Sequence, residues 1–357
     1  MTVCMTALMI VLSAWSRNLA DSPVYYNRYM YTNMFNSFTE ILYSQLVLIS
    51  KSLGMDYQGF LLLAYTICII PRVYVLSKLS RNINLVLSMY LLFPFYLDVC
   101  WLRMSLGISF VYVGFFLWLK YRKMNNRRAV VYFSIFTVIG AGFHAGILAC
   151  FLIILPEYFN RRKIIIVAII TGVVGILITR DNRIYRLISL VVSEDKAKII
   201  DSTSSHGTIS SWLLYTIACI VVLFAFVEFV LRLIQRKILA EKGKGSKSSD
   251  DTIIHQIDYI QYLRKMNIML LSLIALIPYS GSFYRIQLYL LPILYTGFSM
   301  GFRPDRKTRI SKKDLRLFFV FLFGVAIVFY FHIAHTSIFE SVFVPFFTNN
   351  EILGFVV

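Results

Sequence analysis

Acidic residues are scarce: 18 Asp and Glu stand against 36 Lys and Arg, and charged residues of every kind make up only 15% of the 357. A soluble domain carries about 25% charged residues. A chain in which 58% of side chains are hydrophobic therefore has too little polar surface to cover one aqueous core. Most of it must face lipid. Cysteine is sparse as well. Cys4, Cys68, Cys100, Cys150 and Cys219 stand singly, with no CxxC pair and no histidine at ligand spacing, so neither a disulfide framework nor a zinc site is indicated. No metal or cofactor is expected. There is no Asp-x-Asp pair and no phosphate-binding P-loop, which disfavours a nucleotide-sugar donor. The amino terminus lacks a basic region before its apolar run, and Ser13-Ala14-Trp15 is a poor cleavage site, so a retained first helix is expected.

Long apolar runs are abundant. A helix needs ~20 apolar residues to cross a bilayer, fewer where the membrane thins. Ten candidate runs meet this: Val3 to Ser16, Gly59 to Leu76, Ile83 to Val99, Met104 to Leu119, Ala129 to Leu155, Ile164 to Thr179, Ser211 to Leu231, Met266 to Tyr279, Phe283 to Phe302 and Leu315 to Ile333. The fifth contains Gly140-Ala141-Gly142-Phe143-His144-Ala145-Gly146, and glycines at that density weaken a helix, so it is expected to break near His144.

Charge supports that break, because cytoplasmic loops are enriched in Lys and Arg. If Arg127-Arg128 and Arg161-Arg162-Lys163 both lie inside, the run between them must cross twice or dip and return. The expectation is thus an all-α, polytopic integral membrane protein. It has about 11 transmembrane segments including a broken or re-entrant pair, with the amino terminus inside and the carboxyl terminus outside. On that threading 26 basic and 8 acidic residues fall inside, and 10 of each outside, so the whole net charge of +18 lies on one face. Basic residues in short loops between apolar runs argue against nucleic acid as a partner. The chain reads as a single membrane domain over 1–357. Residues 17–58 and 180–210 are outer loops, and 234–265 is a flexible cytoplasmic loop containing a Gly- and Ser-rich stretch. Within the first loop, Phe38 to Leu53 is partly amphipathic and suited to the interface.

Ionisable groups at membrane depth cost at least ~2.5 kcal/mol unless a cavity or partner receives them. The outer ends of distant runs collect Arg17, Asp21, Asp98, Arg103, His144 and Arg285, as a shared watery hollow would require. Arginine forks suit phosphate oxygens, and an imidazole can take a proton near neutral pH. Together they would serve inverting glycosyl transfer from a lipid-linked pyrophosphate. Tyr25, Tyr26 and Tyr29 form an interfacial belt or a sugar-holding face. His206, His332 and His335 lie in a polar loop or near the last outer end and are assigned no role.

Arg17, then Asp21 through Tyr25-Tyr26 and Tyr29, Glu40 before the amphipathic stretch, Leu102-Arg103, Phe143-His144-Ala145, and Arg285 with Tyr289 together resemble the EpsG family, which is similar to the Wzy polymerases of exopolysaccharide, capsule and O-antigen synthesis. The resemblance covers nearly the whole chain through the order of short motifs. It implies a glycosyltransferase of the bacterial cytoplasmic membrane that joins undecaprenyl-pyrophosphate-linked oligosaccharide repeats at the outer face. A flippase and a chain-length regulator are the protein partners it implies. By position, Arg103 and Arg285 would contact the pyrophosphate and His144 would be the base or an orienting group. Arg17, Asp21, Tyr25 and Asp98 would shape the substrate site. Two departures from the family pattern are Met104, where Gln is common, and Gly146, where Ser is common. The alternative from the residues alone is a flippase or transporter of lipid-linked oligosaccharide.

Overall fold

The computed structural model describes residues 1–33, 40–178, 211–242, 250–277, 282–302, 312–331 and 338–352. The expected outer loop 180–210, the Gly- and Ser-rich connection 243–249, most of the basic cluster 303–316, and His206, His332 and His335 lie outside the described residues. Among the described residues the fold is all-helical, with no strand beyond one isolated bridge between Ser16 and Asn350. The chain forms two compact units, Met1–Phe151 with Tyr289–Val357, and Leu152–Leu288.

The first unit includes α1 (Thr2–Ala14), α2 (Ser22–Tyr31), α3 (Ile41–Ser52), α4 (Tyr57–Leu79), α5 (Ile83–Leu92), α6 (Phe95–Cys100), α7 (Leu102–Tyr121) and α8 (Asn126–Phe143), with Lys312–Phe329 and Val344–Thr348 later in the chain. Polar caps set several of their starts. Asp56 accepts from the Gly59 amide at 2.8 Å, Asn82 from Leu85 at 3.1 Å and Asn125 from Arg128 at 3.0 Å, each satisfying an orphan donor of a first turn. Helix α3 buries Tyr43, Ser44, Val47 and Ser50 on one face and leaves Ile41 and Ile49 exposed, the pattern of a helix lying along an apolar boundary.

Among the described residues, three helices are long and apolar enough to cross a membrane: α4, α7, and Leu214–Ala240 within the helix Ser211–Lys242. Exposed apolar side chains also line α8 at Val131, Ile135 and Val138, a stripe that water would not tolerate and lipid would.

Helices α7 and α8 pack most intimately, and glycine makes this possible. A Cβ on Gly107 would lie 2.6 Å from the Gly140 carbonyl oxygen, and one on Gly140 would lie 2.5 Å from that of Gly107. The backbones touch where any larger residue would hold them apart. The expected break is visible in the same hairpin: α8 ends at Phe143, His144 is extended (φ −159°, ψ 116°), and a 3₁₀ stretch, Ala145–Ile153, follows.

Deeper in the first unit Arg72 and Asp98 pair at 1% and 4% exposure. The Arg72 guanidinium also donates to the Tyr90 hydroxyl at 2.5 Å, the Ser105 carbonyl at 2.9 Å, and the Ser105 and Ser109 hydroxyls at 3.0 and 3.1 Å. Tyr112 and Tyr289 cover it with their rings. One arginine therefore ties α4, α5, α6 and α7 together.

The second unit contains α9 (Arg161–Ile178), α10 (Ser211–Lys242) and α11 (Asp250–Met269), followed by a 3₁₀ stretch, Leu270–Leu276. Its core gathers Ile164, Ile268 and Met269 against Leu155, Phe159 and Phe224. The buried carboxylate of Glu228 receives Arg161 at 3.1 Å, Arg232 at 2.8 Å and Arg264 at 2.7 Å, joining the three helices. Helix reaches Lys242 and resumes at Asp250, so it takes up most of the stretch 234–265 expected as a flexible loop. The reason is apolar burial, with Ile253, Ile260, Leu263 and Met266 on the packed face of α11. Helix α12 (Ser282–Ser299) begins in this unit and continues in the first, where Tyr289 donates to the Trp101 carbonyl at 3.0 Å and Tyr295 to that of Phe93 at 3.0 Å.

Candidate functional site

Arg103 lies one helical turn before Gly107 on α7, and His144 lies one turn after Gly140 at the end of α8. The glycine contact thus brings both residues to the same end of an antiparallel hairpin. A third element completes the group. A Cβ on Gly142 would lie 2.7 Å from Leu42 of α3, so the missing side chain lets α3 close on α8 and carries Glu40 to the hairpin end.

Glu40 is the centre of the cluster. It stands at the amino-terminal cap of α3 with φ +56° and ψ 63°, a left-handed conformation in which non-glycine residues are uncommon and strained. Its carboxylate is 9% exposed and meets three cationic or ionisable partners. Arg28 of α2 donates to Oε2 at 2.8 Å, Arg103 donates to the same oxygen, and His144 Nδ1 lies 3.0 Å from Oε1. Burial pushes the Glu40 carboxyl up, but the His144 hydrogen bond and the guanidinium groups of Arg103 and Arg28 outweigh it, and the group is held at about 2. Glu40 is therefore a carboxylate throughout the physiological range.

The partners' chemistry follows from that charge. A carboxylate only accepts, so the His144 nitrogen facing it carries the proton. In the neutral ring the lone pair then sits on Nε2, on the far side from Glu40. Gly146 leaves the ring room on that side, since a Cβ there would come within 3.3 Å of His144 Nε2. Arg103 lies with its Cζ 5.8 Å from the centroid of the Tyr25 ring. Its Nε is buried without a hydrogen-bond partner among the described residues, as is the hydroxyl of Tyr43. Tyr43 packs against Tyr25, with ring centroids 6.3 Å apart. The arrangement can hold an anion on guanidinium edges while an oriented imidazole accepts a proton beside it.

Of the residues expected at a shared hollow, Arg103, His144 and Tyr25 are brought together. Asp21 is adjacent, accepting from the Tyr25 hydroxyl at 3.5 Å. Arg17 pairs with Glu351 at 3.0 Å near the carboxyl end, where its amide also donates to Asn349. Asp98 faces inward to Arg72 rather than toward Glu40. Arg285 lies on the first turn of α12 in the second unit and is partly buried. Two central residues, Glu40 and Arg28, carried no assigned role from the sequence. The available signal was a lone acid opening an apolar helix, and an arginine one turn after Tyr25.

The helices and the site define a class: a helical, multi-pass membrane protein with a compact, fixed group of charges at the ends of its helices. The chain belongs to the EpsG family, whose model matches residues 1–348. Membership points to exopolysaccharide synthesis and to a glycosyltransferase-like polymerase. Neither the curated proteins nor the solved structures include a significant match.

Proposed function

We propose that this chain polymerises undecaprenyl-pyrophosphate-linked oligosaccharide repeats into a surface polysaccharide at the outer face of the bacterial cytoplasmic membrane. The observation that carries the reading is the convergence of Arg28, Arg103 and His144 on the single carboxylate of Glu40. In the reaction, a hydroxyl oxygen of the acceptor repeat bonds to the anomeric carbon of the donor. The bond from that carbon to phosphate breaks, its electron pair leaves with the pyrophosphate, and the hydroxyl proton passes to His144 Nε2. Arg103 and Arg28 neutralise the leaving group with the N–H edges that Glu40 does not occupy, without a metal ion. Arg17, Asp21 and Tyr25 border the substrate. The family resemblance assigns Arg285 a pyrophosphate contact by sequence position, and a flippase and a chain-length regulator are the proposed partners.

The proposed topology has about eleven segments, the amino terminus inside and the carboxyl terminus outside. Several contacts support it. Three basic segments assigned to the cytoplasm meet on Glu228, and Arg17 meets Glu351 on what would be the outer face. Thr2 donates to Asn84 at 3.0 Å near the inner ends of α1 and α5.

The test is the lipid-linked glycan profile of cells carrying Arg103→Ala, His144→Ala or Arg285→Ala. Accumulated single repeats with normal membrane insertion are expected. Glycan of wild-type length in all three variants would refute the site, and disappearance of every outward-facing repeat would indicate a flippase instead.

A further inference from the structure

Helix α2 presents Arg28 to Glu40 and Tyr25 to Arg103, and on an adjacent face it presents Tyr26 and Met30 to a cleft of about 670 Å³, all within the first unit. That volume is in the range of small-ligand sites. Tyr26 and Tyr57 form an aromatic corner, their rings edge to face with centroids 5.2 Å apart, and Tyr26 is 45% exposed. The polar lining is unusual for a lipid groove. Gln58 donates through Nε2 to the Ala14 carbonyl at 3.0 Å, which fixes its amide, while its Oε1 is buried with no hydrogen-bond partner among the described residues. Asp56 uses Oδ1 to cap α4 and is otherwise exposed. Arg17 and Asn18 also line the cleft, and Asn18 is held there at φ +54°, a left-handed conformation that Asn adopts more readily than most residues.

We propose that this cleft binds saccharide: the sugar units of the lipid-linked repeat rather than its diphosphate. The inference rests on the polymerase reading and adds a second subsite to it. Sugar rings have apolar C–H faces and a rim of hydroxyls that both donate and accept. Tyr26 offers the flat face, Asp56 accepts, and Arg17 and Asn18 donate. An acyl chain seated there would leave these groups desolvated and unmatched, at a cost that a saccharide avoids. The shared helix α2 sets the spacing. A diphosphate at Arg103 and a sugar beside Tyr26 lie on adjacent faces of one helix, a separation that a chain of sugars attached to the diphosphate spans.

The test uses full-length protein in nanodiscs and two probes: oligosaccharide released by mild acid from the host's lipid-linked repeats, and sugar-free undecaprenyl pyrophosphate. Tyr26→Ala removes the stacking face at an exposed position. Asp56→Asn removes the charged acceptor yet keeps a residue able to cap α4, so it controls for folding. Each is expected to weaken oligosaccharide binding at least fivefold and leave the lipid probe unchanged. The proposal is overturned if wild type does not bind the oligosaccharide, if both variants bind it normally, or if they lose the lipid probe equally or preferentially. Glycan length in the His144→Ala strain, measured alongside, separates the two readings. Long glycan with an intact cleft effect would sink the polymerase site alone, whereas blocked extension with unaffected oligosaccharide binding would sink the cleft alone.

Discussion

Replacing Glu40 with Gln keeps the shape of the side chain and removes one negative charge from a site where Arg28, Arg103 and His144 converge. The magnitude follows from the carboxyl group. Its fall from an ordinary 4.5 to about 2 corresponds to about 3 kcal/mol of favourable interaction in the folded state. Because the side chain is 9% exposed, little of this is screened, although Arg28, one-third exposed, contributes less than Arg103. A carboxyl held below its unfolded value stabilises the fold fully above about pH 4.5, and that stabilisation is lost as pH falls toward about 2. Unfolding titrations by SDS in mixed micelles should therefore show the Gln variant less stable by about 3 kcal/mol at pH 7. The gap should shrink below about pH 4.5. Chain extension should fall about 10- to 100-fold in kcat with little change in KM, since Gln no longer forces the His144 proton onto Nδ1. A stability gap under about 0.5 kcal/mol, or one that does not change with pH, would refute the reasoning.

Two further outcomes are expected. Gly142→Leu would drive a side chain into Leu42 and push α3 off α8, so glycan extension should be lost while Gly54→Ala, which has open space beside its Cβ, costs only the strain of its positive φ and leaves extension intact; equal activity of the two variants would show that the α3 contact does not position Glu40. For topology, cysteines introduced at Ser204 and Ser246 should react with an impermeant thiol reagent outside intact cells only at the former, and the reverse labelling would invert the orientation.

Much of the fold was legible because the bilayer restricts the choices. Apolar run length implied helices, and three glycines within seven residues indicated the interruption at His144. Arg103 and His144 could be named as candidate site residues because polar groups at helix ends need a reason to be there. Their meeting through Gly107 and Gly140 could not, since the two glycines are 33 residues apart and nothing local pairs them. Glu40 illustrates the same limit. Its neighbours in sequence explain a helix start, whereas its partners are Arg28 of α2, Arg103 of α7 and His144 at the end of α8. Asp98 was drawn toward the surface by its position five residues before Arg103. Its partner, Arg72, lies on α4. Spacing along the chain carries no information about a pair separated by 26 residues and brought together by packing.

That pair also bears on the two functional readings. A transporter would be expected to carry opposed charges within its spans along a water-filled path, and Arg72 with Asp98 at first satisfies the description. The surroundings do not. Tyr90, Ser105 and Ser109 accept from the two terminal nitrogens of Arg72, aromatic rings cover it, and among the described residues both side chains are nearly inaccessible. The pair is then a latch between helices, and its energetics make the claim testable. Asp98→Asn alone leaves a buried guanidinium without its counter-charge and should destabilise the protein by about 3–5 kcal/mol. The double variant Arg72→Met with Asp98→Leu removes both charges and keeps apolar volume. It should recover most of that loss, because a well-packed hydrophobic replacement of a buried ion pair is often neutral. On the polymerase reading this double variant still makes long glycan. If it inserts and folds normally yet accumulates repeats on the inner face, the charges serve transport and the latch interpretation fails.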